Sequence, residues 1–181
     1  MTFNSTRAIF LDRDGVINKA NVKKGKPYPP CNLGALEIID NVADSLKALR
    51  QLGFYLFVVT NQPDVARGIT PKLDVEKINQ YLLDTLTLDG IYVCYHDDPD
   101  ACKCRKPEIG FLLDLKEKYN LCLSDSYVIG DRWRDIEMGQ RAGCKTVFID
   151  YGYQEKQPVN PDFIVDSLSD FVEKLWKGFY G

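Results

Sequence analysis

The sequence predicts a doubly wound α/β fold on a parallel sheet with helices on both faces, and three observations predict it. Short apolar runs alternate with segments of helical periodicity along the chain. The runs are apolar throughout and do not alternate with polar residues, which is the pattern of strands covered on both faces. Polar and carboxylate-bearing residues follow one run after another, at the strand ends where such sheets carry their active sites.

The elements follow in order. Arg7–Leu11 is a short apolar run ending in acids, a buried strand. Residues 40–52 place Val42, Leu46 and Leu49 at helical spacing and end at Gly53, a C′ glycine. Residues 55–59 are aromatic and β-branched, a second strand. Thr70 and Pro71 read as an N-cap followed by proline at the first helical position, opening a helix with Ile78, Leu82 and Leu86 on one face. Residues 91–94 form a third strand, and 107–119 a helix with Leu112, Leu115 and Tyr119 near one face. Residues 127–129 are a fourth strand, 135–142 a helix closed by Gly143, 146–149 a fifth strand and 163–165 a short sixth, before a terminal helix over 169–176.

At 181 residues, 45% hydrophobic and 27% charged, the chain can bury a core as one domain spanning 1–181. Its longest apolar runs, such as 54–59, are too short to span a bilayer. The start of the chain, Met1 to Thr6, shows no basic segment leading into an apolar one, so no signal peptide and a cytoplasmic location are expected. The net charge of −3 argues against general binding to nucleic acid or to anionic membrane. A monomer is expected. Two small counts are more informative: six cysteines and one histidine. Without an export signal the cysteines read as buried thiols, metal ligands or a redox site, not as a disulfide frame. A single histidine points away from histidine-based catalysis and toward carboxylates or a metal.

The strand ends carry one consistent chemistry. Asp12, Arg13, Asp14 and Gly15 follow the first strand; Thr60, Asn61 and Gln62 the second; Arg105 and Lys106 precede the helix after the third; Gly130 and Asp131, with Asp135 four residues on, follow the fourth. Asp12 and Asp14 are two apart, so an extended backbone points both to one side. Crowded carboxylates repel unless a cation or proton neutralises one, and Asp131 could complete an oxygen-rich site suited to Mg²⁺. One carboxylate can attack phosphorus while a second protonates the leaving oxygen and later deprotonates water. Thr60 and Asn61 can donate to phosphoryl oxygens, and Lys106 can neutralise charge on the nucleophile and the transferring group. Each piece alone has an ordinary reading as a turn, a cap or a solvated pair; their ordered recurrence after four strands favours phosphoryl chemistry.

These residues resemble the haloacid-dehalogenase superfamily of phosphatases. Residues 10–18 look like its motif I, 59–62 like motif II, Lys106 like motif III, and Gly130, Asp131 and Asp135 like motif IV, covering the chain from about Ala8 to Gly152. The resemblance implies a Rossmann-like fold with Asp12 as nucleophile and Asp14 as general acid/base. It implies Mg²⁺ held by Asp12, the Asp14 backbone carbonyl and Asp131, with Asp135 a secondary carboxylate nearby.

A second constellation lies at Cys94, His96, Cys102 and Cys104, spaced C-x-H-x5-C-x-C. Three thiolates and an imidazole suit a closed tetrahedral Zn²⁺ site, and with every position filled by protein that zinc would be structural. The residues between, Asp97 to Ala101, are polar and turn-prone, and a metal is a sensible way to hold the 94–104 loop. The ordinary reading, buried thiols beside a surface histidine, leaves four ligand-type residues within eleven positions unexplained. Cys122 and Cys144 read as core or near-core thiols, and Cys31 lies in an irregular loop.

The zinc loop is similar to that of the heptose 1,7-bisphosphate and histidinol-phosphate phosphatase group, and the run 102–107 fits both. That resemblance implies a small sugar-phosphate substrate, substrate contact by Arg105, carbohydrate metabolism such as lipopolysaccharide, S-layer or capsule precursor synthesis, and no large cap domain. Absence of long insertions between the motifs agrees. Ala66, Arg67 and Gly68 also resemble the group's pattern, which makes Arg67 a substrate-binding candidate. Two stretches depart from it: Pro63, Asp64 and Val65 after motif II, and the basic, proline-rich segment 19–30. The latter reads either as a stiff solvated loop or as a substrate-attracting one, whose Lys23, Lys24 and Lys26 could, with Arg67, serve a second phosphate. Histidinol phosphate is the alternative substrate. A phospho-acceptor receiver module is the alternative of another class, and it would need neither the zinc loop nor Asp14; a nucleic-acid-end phosphatase is disfavoured by the acidic balance.

Overall fold

Alternation within the first strand divides the core in two. β1 (Arg7–Leu11) is buried at every position, with Ile9 and Leu11 on one side of the sheet and Ala8 and Phe10 on the other. A computed structural model describes residues 6–180, of which side chains 179 and 180 are not described. The leader reading at the start of the chain therefore lies almost entirely outside the described residues. No helix among the described residues is long and apolar enough to cross a membrane.

The main sheet has six strands in the order β5-β4-β1-β6-β7-β8, every neighbouring pair parallel. Its other strands are β4 (Phe54–Asn61), β5 (Gly90–Cys94), β6 (Tyr127–Gly130), β7 (Lys145–Ile149) and β8 (Phe163–Val165). On the Ile9 side lie α1 (Val42–Gln51), α2 (Lys72–Thr85) and α5 (Leu168–Tyr180), contributing Leu46, Leu49, Ile78, Leu82 and Phe171. On the Phe10 side lie α3 (Gly110–Tyr119) and α4 (Trp133–Ala142), contributing Leu112, Leu115 and Met138. From β1 the chain winds outward through β4 to β5, then crosses back to β6 on the other flank of β1. The loops after β1 and β6 therefore face each other at the topological switch point, where open α/β sheets bind ligands.

Four boundaries differ from the sequence expectation. Strand β4 continues through Thr60 and Asn61, because β5 pairs with it as far as Asn61 opposite Cys94. Helix α3 starts at Gly110, not at Pro107, because the Glu108 and Gly110 amides bond back to the Arg105 and Lys103 carbonyls at 2.8 and 2.9 Å. Helix α2 starts at Lys72 with Pro71 in the cap position, so Thr70 is not its cap. Helix α4 begins two residues before Asp135 and so places that carboxylate in its first turn.

The segment 19–30 contains a hairpin that its composition does not announce: β2 (Asn21–Lys23) pairs antiparallel with β3 (Lys26–Tyr28). The two linking residues, Lys24 and Gly25, have φ of 50° and 72°, as a type I′ turn requires of both its central positions. Lysine is an uncommon choice there, which hides the turn from a search for Asn-Gly or Asp-Gly. The Gln154 amide donates to the Gly25 carbonyl at 2.8 Å and ties the hairpin tip to the segment after β7.

Phe57 is fully buried and its ring lies 6.1, 5.9 and 5.0 Å from those of Phe10, Tyr55 and Tyr119. Phe57→Ala should cost about 3–5 kcal/mol. In urea unfolding this is read as a lower midpoint at unchanged slope.

Candidate active site

Four strand ends converge on one buried lysine. Lys106 is 3% exposed, and its Nζ lies 2.8 Å from Asp12 Oδ1, 2.6 Å from Asp135 Oδ1 and 2.9 Å from the Val59 carbonyl oxygen that accepts from it. Burial alone would discharge it, but Asp12 and Asp135 hold its pKa above the ordinary lysine value. The backbone on either side is fixed by Asn61: its Nδ2 donates to the Lys106 carbonyl at 3.2 Å, and its Oδ1 accepts from the Lys106 amide at 3.0 Å. Asn61 was expected to bind a phosphoryl group, and the structure spends most of its amide on the lysine loop, leaving one N–H. Thr60, buried at the end of β4, accepts from Gln62 Nε2 at 3.0 Å and keeps its own hydroxyl proton to donate.

One lysine does not balance the carboxylates around it. Asp12, Asp131 and Asp135 are all buried, and one oxygen from each lies within 4.8 Å of the others. Two like charges at about 4 Å repel by about 4 kcal/mol at an effective dielectric of 20. Burial, opposed by Lys106, pushes the Asp12 carboxyl up to about 6. Burial together with Asp12 and Asp135 raises Asp131 well above the carboxylate range, and the Tyr153 hydroxyl and Lys106 offset this only in part. Neither Asp131 oxygen accepts a well-formed hydrogen bond. Gly15, with φ of 92°, makes room for this carboxylate: a Cβ there would stand 1.9 Å from Asp131 Oδ2. A hard divalent cation fits such a donor set. Asp135, expected to be secondary, contributes an oxygen to the cluster as fully as Asp12 does.

Asp14 is held differently. Its carboxylate accepts from Arg13 Nε at 3.2 Å and Nη2 at 3.1 Å, from Asn18 Nδ2 at 3.0 Å and from Gln62 Nε2 at 2.7 Å. It stands at the edge of a cleft of about 280 Å³, with Asp12 and Lys106 also in the lining. Arg67, Arg105, Arg132 and Arg134 line the same cleft, and Lys26 and Tyr28 bring the hairpin to it. Lys23 and Lys24 do not line it.

The cysteines and histidine predicted to bind metal also meet. Sγ–Sγ separations are 3.1 Å for Cys94–Cys104, 3.6 Å for Cys94–Cys102 and 3.5 Å for Cys102–Cys104, and His96 Nδ1 is 3.5 and 3.4 Å from Cys94 and Cys104. Thiolates at the usual zinc distance of about 2.3 Å would be about 3.8 Å apart around a tetrahedron. Burial pushes the Cys94 thiol far up, a cost that a bound cation removes. Of the other cysteines, Cys144 is buried, Cys122 half-buried and Cys31 exposed.

This cluster also reaches the cleft, through acids that read in the sequence as mere turn residues. Arg67 bonds both Asp97 oxygens, at 2.6 and 2.7 Å, and Asp64 at 3.2 Å. Those bonds hold the Asp97 carboxyl down to about 2. Arg105 donates to Asp98 at 2.7 Å and to the His96 carbonyl at 3.2 Å, and Arg134 lies 3.5 Å from Asp98. Sequence reasoning missed Arg13, Gln62, Asp97, Asp98, Arg132 and Arg134. For the arginines around Asp131 a signal existed, since two of them open the helix that carries Asp135.

Comparison with known proteins agrees with this geometry. A HAD-hydrolase-like family model matches residues 103–171. The chain is 33% identical over 191 residues to a protein of Escherichia coli K12 named D-glycero-beta-D-manno-heptose-1,7-bisphosphate 7-phosphatase, covering 96% of this chain and 95% of that protein. It is 35% identical over 150 residues to the Helicobacter pylori protein of the same name, covering 78% and 82%. The crystal structure of a D,D-heptose 1,7-bisphosphate phosphatase from B. bronchiseptica, complexed with magnesium and phosphate, superposes with a TM-score of 0.75 at 23% identity, covering 96% of this chain and 99% of that one.

An aspartate whose folded pKa is raised contributes stability below its unfolded value near 3.9, and that contribution is lost as pH rises through the folded value. For Asp12 this window closes at about pH 6. Added Mg²⁺ should therefore raise the melting temperature more at pH 8 than at pH 5. Equal shifts in a thermal scan would place the ion elsewhere than the Asp12, Asp131 and Asp135 cluster.

Proposed function

The chain belongs to the HAD-like phosphatase family that includes the D-glycero-beta-D-manno-heptose-1,7-bisphosphate 7-phosphatases, and on that footing we propose that it removes the 7-phosphate from a heptose 1,7-bisphosphate. The supporting observation is the shape of the charge in the cleft. A carboxylate and an ammonium sit together on its floor at Asp12 and Lys106, while Arg67 and Arg105 stand on its rim. A substrate with a phosphate at each end meets a reacting group at one end and guanidinium forks at the other.

Asp12 is the nucleophile of this reading. Lys106 holds Asp12 Oδ1 and supplies positive charge where the phosphoryl oxygens crowd. Thr60 and the free N–H of Asn61 donate to those oxygens. Asp14 gives a proton to the departing sugar oxygen, then takes one from the water that cleaves the aspartyl-phosphate. Asp12, Asp131 and Asp135 would hold a Mg²⁺ ion, which would supply neutralising charge there. Arg67 and Arg105 arrive already aligned, because Asp97 and Asp98 of the 94–104 loop hold them. Cys94, His96, Cys102 and Cys104 would hold a structural Zn²⁺ that would keep that loop in place, since four protein ligands close the site to water.

Asp12→Asn should lower turnover at least about 1,000-fold, since an amide is a poor nucleophile. Steady-state phosphate release checks this, with heptose 1,7-bisphosphate and histidinol phosphate side by side; preference for histidinol phosphate would sink the substrate assignment. His96→Ala should lose bound zinc and melt at lower temperature, while the folded fraction keeps the chemistry. Metal analysis and calorimetry on the pure variant decide, and full zinc content in it would refute the four-ligand site.

A further inference from the structure

One buried charge has no part in the reaction described above. Arg13 is fully buried. Its Nε donates to Asp14 Oδ1 at 3.2 Å, its Nη2 reaches both Asp14 oxygens at 3.1 and 3.2 Å, and its Nη1 donates to Asn79 Oδ1 at 2.9 Å. Asn79 is itself buried, on the face of α2 that packs against the sheet. The Arg13 amide donates to Asp12 Oδ1 at 2.7 Å, so the same residue touches both carboxylates of the first strand end. A guanidinium taken out of water is costly unless its donors are met. Here most of its donors go to one carboxylate and one amide oxygen, both beside the cleft or backing it.

We propose that Arg13 is the positioning residue for the Asp14 carboxylate, with Asn79 fixing Arg13 from helix α2, an assignment that rests on Asp14 being the acid/base. A guanidinium fork fixes a carboxylate in its plane as a point charge cannot. Gln62 Nε2 grips the Oδ2 edge at 2.7 Å and Asn18 Nδ2 the Oδ1 edge at 3.0 Å. Two donor side chains from Asp14's own loop and one from just beyond the end of β4 thus triangulate the carboxylate. Proton transfer needs that precision: donor and acceptor must lie within hydrogen-bond reach, and a misplacement of about 1 Å can cost about 100-fold. As the phosphorus–oxygen bond to the sugar breaks, the Asp14 proton passes to the departing oxygen and Asp14 is left a carboxylate facing Arg13. Arg13 gains and loses no proton.

The test uses leaving groups of different basicity on the magnesium-loaded enzyme. A sugar oxygen needs a proton to depart and p-nitrophenolate needs little help, while kcat/KM reports only steps through formation of the aspartyl-phosphate. Arg13→Gln and Asn79→Ala should lower kcat/KM for the sugar phosphate by about 10-fold or more, and for p-nitrophenyl phosphate by less than about 3-fold. Arg13→Lys should restore little, because it keeps the charge and loses the fork. Asn79→Ala keeps the guanidinium but removes the bond that orients it, and serves if Arg13→Gln does not fold. Equal losses on both substrates, or none, in a variant of normal melting temperature would overturn the positioning role. Asp14→Asn is measured alongside: if it fails to discriminate between the two leaving groups, the acid/base reading of Asp14 itself falls, and if it alone discriminates, only the role of Arg13 does.

Discussion

Three buried carboxylates around one ammonium is the constraint from which the rest of this structure follows. Asp12, Asp131 and Asp135 outnumber the one ammonium beside them, and the fold nevertheless buries them together. It does so by spending structure on the arrangement. The Asn61 amide and the Val59 carbonyl fix the lysine, and a glycine at position 15 lets Asp131 approach the loop after β1. A fold selected for stability alone would have used apolar residues there, since replacing buried charges with packed hydrophobic groups is often neutral or favourable. The imbalance fits a hard divalent cation better than it fits a structural role.

The remainder of the molecule serves as a rigid mount for that imbalance. The apolar strands carry side chains to two cores, one on each face of the sheet, so β1, β4 and β6 are clamped from both sides. Their carboxyl ends then project at the switch point with little freedom. On the rim, precision comes from ion pairs and not from packing. Arg67, Arg105 and Arg134 are held by Asp97 and Asp98, which belong to the loop framed by Cys94, His96, Cys102 and Cys104. Exposed pairs of this kind contribute little stability. Their effect is to aim guanidinium groups into the cleft, and it links the cluster of cysteines and histidine to the cleft lining.

Much of this was legible in the residues. Strands read from apolar runs, and the acids after them, were enough to locate Asp12, Asp131 and Lys106 in one place, because in a parallel sheet every strand end lies on the same edge. The cysteines and histidine were legible for a different reason: four soft ligands in eleven positions are too dense to be scattered by folding. Less legible were groups whose meaning lies in a partner far along the chain. Arg13 and Asn79 are 66 residues apart, as are no two members of any local motif. The hairpin over 21–28 was hidden by an unusual turn pair, and Asp97 and Asp98 by their resemblance to ordinary turn formers.

The sequence by itself determined the class of fold, the identity of the chemical groups and the family, because these depend on periodicity, residue type and order. Tertiary structure decided which of those groups touch. It gave most of the Asn61 amide to the lysine loop, set Asp135 beside Asp12 and Asp131, turned Asp14 toward Arg13, and brought Lys26 but not Lys23 or Lys24 to the cleft. The physical reason is common to all four. A side chain's partners are set by angles and distances of an ångström or two across segments distant in sequence, and local spacing carries no information on that scale.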